Sequence, residues 1–229
     1  YFRSLDARGF VISIATGRDI TTVYEHIIRL DLPHPLCVIC SNGARGLLCS
    51  VNDSKTAVSF ETLFETPVPR NITRQAIKLS KKLDCCCQFY VDQKIYADPT
   101  YDAHFKYTER YQQLTGCRTE YVKDDFEAAL EIGLPSKMLV LCENVDDVLA
   151  AFRDYFEAEY SDAKQRPTLI RGQWFLEILH PLVCKGVGLQ KMCRIRNLDI
   201  SRVIAFGDGD NDLEFIQDAG IGIVMKNGR

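Results

Sequence analysis

Six consecutive residues, Gly207-Asp208-Gly209-Asp210-Asn211-Asp212, put three carboxylates and one amide into five neighbouring positions. Carboxylates this close repel one another unless a cation sits among them, and hard oxygen donors suit Mg²⁺ or Ca²⁺. The spacing excludes an EF-hand, whose sixth position needs Gly where this chain has Leu213 and whose twelfth needs Glu where it has Ala219. A dinucleotide fingerprint fails as well, because Asp212 stands where its third Gly belongs, and no Walker A pattern occurs. The bland alternative is an acidic turn that caps a helix, which a lone Gly-Asp-Gly would justify better than the full string does. Two further polar groups end apolar runs in the same manner: Thr16-Gly17-Arg18 after Val11–Ala15, and Ser41-Asn42-Gly43 after Leu36–Cys40. Lys185-Gly186 opens a helical pattern carrying Val187, Leu189, Met192 and Ile195, where a lysine can neutralise a phosphate.

Parallel strands of one doubly wound sheet would bring these points together, since such strands place their carboxyl ends along one edge, where ligands bind. The periodicity is that of alternating strands and helices. After Val11–Ala15 comes a helical face of Ile20, Val23, Tyr24, Ile27 and Ile28, ended by Pro33 and Pro35. Arg202–Phe206 is a third apolar run, stopped by Gly207, with a short helix from about Asp212. The middle differs. Helices are predicted over 71–83, 103–114 and around Val145–Phe156, with a strand over 137–142 and hairpins over 88–96 and 168–179. This is an α+β segment inserted into an α/β chain. The division is 1–66, 67–179 and 180–229, the first and last parts forming a doubly wound, mostly parallel, Rossmann-like core.

With 46% hydrophobic and 26% charged residues, the 229-residue chain is globular in composition. A formal charge of -3 is no footprint for nucleic acid or an anionic membrane surface, and no apolar run approaches the ~18 residues of a membrane span. Several of the ten cysteines lie inside apolar runs, such as Cys37 and Cys40 in CVIC. They read as buried free thiols of a reducing, cytoplasmic compartment. On a strand Cys37 and Cys40 face opposite ways, which argues against a redox pair.

In combination, ATGR (15–18), SNGA (41–44), Lys185-Gly186, GDGDND (207–212) and AGIGIVMKNG (219–228) resemble the haloacid dehalogenase superfamily, and within it the Cof-type phosphatases with a large α/β cap. The order and gaps match over nearly the whole chain. The resemblance implies a phosphatase of small phosphorylated metabolites (sugar phosphates, nucleotides or cofactor phosphates) that uses Mg²⁺, with 67–179 as its cap. It implies that Thr16 and the Gly17 N–H hold the transferring phosphoryl group and that Arg18 lies near the mouth. Asn42 would contact the substrate side and Asn211 the phosphate. Lys185 would balance charge on phosphate and nucleophile. Asp208 would bind the metal, and Asp212 would bind it or orient its water or Lys185; Asp210 takes no role.

One motif of the family does not occur in these residues: DxDGT, whose leading Asp is the nucleophile and whose second Asp is the general acid. The expectation is a chain trimmed at both ends, with the nucleophile upstream of Tyr1, and inactive as it stands. A second departure precedes Lys185, where Leu182 and Cys184 replace the family's Gly and small polar residue. The competing readings are a phosphomutase of the same fold and a non-catalytic phosphate-binding relative that has lost its nucleophile.

Overall fold

A computed structural model describes residues 1–91, 94–99, 102–122 and 125–228. In chain order the elements are α1 (Phe2–Asp6), β1 (Ser13–Ala15), α2 (Tyr24–Leu30), β2 (Leu36–Cys40), β3 (Arg45–Val51) and β4 (Val58–Glu65). Then follow α3 (Arg70–Lys82), β5 (Cys86–Val91), β6 (Lys94–Ala97), α4 (Asp102–Thr115), β7 (Thr119–Tyr121), α5 (Phe126–Ile132), β8 (Lys137–Leu141) and α6 (Val145–Glu159). The chain closes with β9 (Thr168–Arg171), β10 (Phe175–Leu179), α7 (Lys185–Ile195), β11 (Ile204–Gly207), α8 (Leu213–Asp218) and β12 (Ile221–Val224). Two compact units result: Tyr1–Glu65 with Val183–Arg229, and Thr66–Leu182.

In the first unit β1 pairs parallel with β2, with Ala15 opposite Ile39. β3 and β4 extend the sheet antiparallel in the order β1-β2-β3-β4. β2 (LCVIC) is buried along its whole length, as a strand covered on both faces must be. Its alternate residues divide between two cores. Leu36, Val38 and Cys40 pack with Ile20, Val23 and Ile27 on the α2 side. Cys37 and Ile39 pack with Leu189, Met192 and Cys193 of α7 on the other. Cys37 and Cys40 therefore do face opposite ways. The helical face predicted from Ile20 is broken into a 3₁₀ turn, Ile20–Val23, followed by α2, which ends at Leu30 with Asp31 in the left-handed conformation (φ 50°).

β11 and β12 are parallel to each other but form a separate two-stranded sheet. This corrects the expectation that the three apolar runs share one sheet: among the described residues the first two do, and the third does not. Ala205 and Gly207 face inward, with the Gly207 backbone against Asp212 and Ile216, whereas Ile204 and Phe206 are exposed. The fold remains mixed α/β, with parallel pairs at β1–β2 and β11–β12.

The second unit is a six-stranded sheet in the order β7-β6-β5-β8-β10-β9, antiparallel except for β6–β7. The helix α6 presents Val145, Val148, Leu149, Phe152 and Phe156 at helical spacing, all buried. Ile72, Ala76 and Leu79 of α3 share that core. The predicted 88–96 hairpin is β5–β6, and its turn at 92–93 lies outside the described residues. Trp174 is buried with Tyr111, Leu139 and Leu141 on the opposite face. No helix among the described residues is long and apolar enough to cross a membrane.

Candidate active site

The loops after β1 and β2 are tied together by backbone hydrogen bonds that continue the parallel ladder. Thr16 N–H donates to Ile39 O (2.8 Å), Asn42 N–H to Thr16 O (3.0 Å) and Ser41 N–H to Arg18 O (2.9 Å). The Thr16 hydroxyl accepts the Arg18 N–H at 3.1 Å, which leaves its own O–H to be donated elsewhere. Asp19 anchors the far side of this turn. It is buried, accepts from Thr21 N–H at 3.1 Å, and lies 3.9 Å from the buried Arg45 guanidinium. An Asp immediately before Ile20-Thr21-Thr22 is an N-cap signal, legible in the sequence itself.

The second loop is more constrained. Ser41, Asn42 and Gly43 all have positive φ, at 50°, 54° and 100°. A Cβ on Gly43 would collide with the backbone of Cys184, so only glycine lets this loop lie against the start of α7. Cys184 caps α7: its Sγ accepts the Val187 N–H at 3.5 Å, the work that a small polar residue does elsewhere. Gly188 lies against Ile39 and Gly43, which fixes α7 on the sheet and carries Lys185, its first residue, into the interior.

Lys185 and Asp212 are both 6% exposed and meet at 2.5 Å, Nζ to Oδ1. The other Asp212 oxygen accepts the N–H groups of Asp208 and Gly209, each at 3.1 Å. Asn211 donates its Nδ2 to Asn42 Oδ1 at 2.8 Å, and the Gly17 backbone lies against the same Asn42 side chain. A continuous chain of contacts thus runs Thr16–Asn42–Asn211–Asp212–Lys185. Asp208 and Arg18 sit at its rim, both exposed. The Ser41 hydroxyl, fully buried in this loop, has no hydrogen-bond partner among the described residues.

Burial alone would push the Asp212 carboxyl up. The Lys185 ammonium and the Gly209 and Asp208 N–H groups overcome it and hold the group below the ordinary aspartate value of 3.8. The sign follows. A carboxyl lower in the folded than in the unfolded state contributes its full stability above its ordinary value and loses that contribution as the pH falls below it. Urea denaturation followed from roughly pH 6 down to pH 2 should show stability falling in the acid limb, and an Asp212→Asn variant should show a shallower fall. Equal slopes would remove Asp212 from the acid response.

Both Asp212 oxygens thus accept hydrogen bonds from the protein. Asp208 is different: among the described residues its carboxylate carries no hydrogen bond or ion pair. No cluster of three His, Cys, Asp or Glu side chains forms a metal cage among the described residues. An open carboxylate such as that of Asp208 would suit a hard cation that keeps several waters and needs only one or two protein oxygens beside a phosphate.

The sequence profile of the haloacid dehalogenase-like hydrolases matches residues 1–229. A 5-amino-6-(5-phospho-D-ribitylamino)uracil phosphatase of Bacillus subtilis strain 168 is 24% identical over 222 residues, covering 96% of this chain and 75% of its own. Among solved structures, a haloacid dehalogenase-like hydrolase from Bacteroides thetaiotaomicron superposes with a TM-score of 0.78 at 19% identity, over 100% of this chain and 80% of its own. A subclass IIB sugar phosphatase of the same superfamily gives a TM-score of 0.70 at 19% identity, over 100% and 78%. At these identities the structures speak for the fold.

Proposed function

The chain belongs to the haloacid dehalogenase-like hydrolases, its kinship is with their phosphatases, and from that premise we propose that its site hydrolyses a small phosphate monoester with Mg²⁺ as cofactor. The observation that carries the reading is the buried Lys185–Asp212 pair, joined through Asn211 and Asn42 to the Thr16 loop. Lys185 spends one of its three donors on Asp212, so two remain for phosphoryl oxygens. The Thr16 hydroxyl and the second N–H of Asn211 supply further donors, and the Gly17 backbone lies beside them. Such fixed donors stabilise charge as it develops on the transferring group. Asp208 would hold the cation, which supplies charge neutralisation to the phosphate when bound. Arg18 stands at the rim, where the alcohol part of the substrate would enter.

The nucleophile of this reading is an Asp upstream of Tyr1. It attacks phosphorus, the ester P–O bond breaks, and a second upstream Asp protonates the departing alcohol. Water, giving its proton to that second Asp, then cleaves the aspartyl-phosphate. Sugar phosphates, nucleotides and cofactor phosphates are the substrate class, and the unit Thr66–Leu182 is the cap that selects among them. Free thiols, all buried except those of Cys117 and Cys184, suit a cytoplasmic setting. The test compares two proteins on p-nitrophenyl phosphate: residues 1–229, and a form extended upstream of Tyr1. The extended form is expected to turn over and the shorter one to be silent. Equal turnover would refute the upstream nucleophile.

A further inference from the structure

The second unit holds a pair of thiols that phosphate chemistry does not use. β5 and β8 pair antiparallel with Cys86 opposite Leu141 and Cys87 opposite Val140. Continued one step outward, that register sets Cys85 opposite Cys142. The Cys142 N–H donates to Trp174 O at 3.2 Å, toward the β10 side, and the Cys85 N–H donates to Ser80 O at 2.9 Å. Neither N–H is spent on the facing residue, so this is a non-hydrogen-bonded position. There Cα atoms stand about 4.5 Å apart and side chains approach most closely. Disulfides accept Cα separations of about 4.4–6.8 Å.

Both side chains belong to the core face shared with Cys87 and Val140, where the Cys85 thiol donates to Leu83 O at 3.4 Å and the Cys142 thiol to Val140 O at 3.7 Å. Cys86 points to the opposite face, among Tyr90 and Leu139. The pair sits at the end of the sheet, where a cleft of about 310 Å³ is lined by Asp84, Cys85, Tyr107, Cys142 and Glu143. Both cysteines line that cleft, each 5–6% exposed.

We propose that Cys85 and Cys142 form a reversible redox pair, which closes into a cross-strand disulfide by exchange with a low-molecular-weight disulfide. The Cys85 thiolate attacks one sulfur of the small disulfide, whose S–S bond breaks and releases one thiolate. Cys142, deprotonated in turn, attacks the Cys85 sulfur, the mixed disulfide breaks, and the second small thiolate leaves. The two protein thiols lose two electrons, the small disulfide gains them, and the two thiol protons end on the two released thiolates. Cys85 attacks first because the interaction between the two neighbouring thiols lowers its pKa, while that of Cys142 is raised.

The test uses the folded chain, incubated with oxidised glutathione, quenched in acid, alkylated, digested and sequenced by mass spectrometry. The expected product is a linked pair of peptides joining Cys85 to Cys142, lighter by two hydrogens and reopened by dithiothreitol. Two of the ten thiols then escape alkylation. Cys142→Ser should stop at a stable Cys85–glutathione adduct. Ten alkylated thiols, a bond ending on Cys86 or Cys87, or persistent glutathione on wild-type Cys85 would each overturn the proposal. The wild-type map decides alone if the variant does not fold.

Discussion

Lys185→Met, in a form extended upstream through the proposed nucleophile, is expected to lower phosphatase turnover by about 10³-fold, the scale seen when one fixed donor to a developing oxyanion is removed. The same substitution should destabilise the fold by about 3 kcal/mol, because it strands the buried Asp212 carboxylate without its cation. The figure stays at the lower end for such a loss because two backbone N–H groups continue to hold the other oxygen. The two effects separate in a double variant. Lys185→Met with Asp212→Asn removes both charges together, keeps an acceptor for the Asp208 and Gly209 N–H groups and should regain part of the stability while turnover stays lost. Urea denaturation and turnover of p-nitrophenyl phosphate measure the pair. Activity that returned together with stability would mean that Lys185 matters only as a structural counter-ion.

Asp208→Asn should do the opposite to stability and much the same to activity. Its side chain is exposed and without a partner among the described residues, so the change should fall within about 0.5 kcal/mol. Its backbone N–H still reaches Asp212, because that bond does not involve the side chain. Turnover of the upstream-extended form, by contrast, should drop by about 10³-fold on loss of the proposed cation, worth several kcal/mol to the transferring group. A Mg²⁺ titration should also show the half-saturation point moved upward. An unchanged titration would take Asp208 out of the metal's surroundings and leave exposed Asp210 as the candidate.

The sequence was most legible where one physical signal ruled. Helix α6 shows its buried stripe at every helical step, and β2 reads as a strand because all five of its residues are apolar or Cys. The hairpin β3–β4 was not read from the sequence, although Val58-Ser59-Phe60-Glu61 alternates and Asn52-Asp53-Ser54 marks the turn before it. The bulge between Gly46 and Leu47 breaks the period there. β7 and α5 were passed over as well, being three and seven residues long. Within the site, Thr16, Asn42, Asn211 and Asp212 could be singled out because polar residues follow apolar runs there, whereas Lys185, at the opening of a helical pattern, stood out only in combination with those loops. What no spacing could reveal is which oxygen of Asp212 meets which donor, or that Asn211 and Asn42 bond directly across 169 residues. The anchoring pair Asp19–Arg45 was hidden for a similar reason, since its partners meet only once β3 has folded back.

The segment Ser41–Gly43 has a thermodynamic meaning beyond its shape. Two non-glycine residues in succession hold left-handed torsions there, each a conformation that costs on the order of 1–3 kcal/mol and persists only when its surroundings insist on it. Those surroundings are the rungs to Thr16 and Arg18 and the abutting first turn of α7. The expense is therefore met when the polypeptide first collapses, long before any ester arrives. On the proposed reading, a docking ester would find Asn42 already in position, and its binding free energy need not be diverted into ordering the receptor. The fold accepts a permanent local penalty, and the chemical step begins from a smaller entropic deficit.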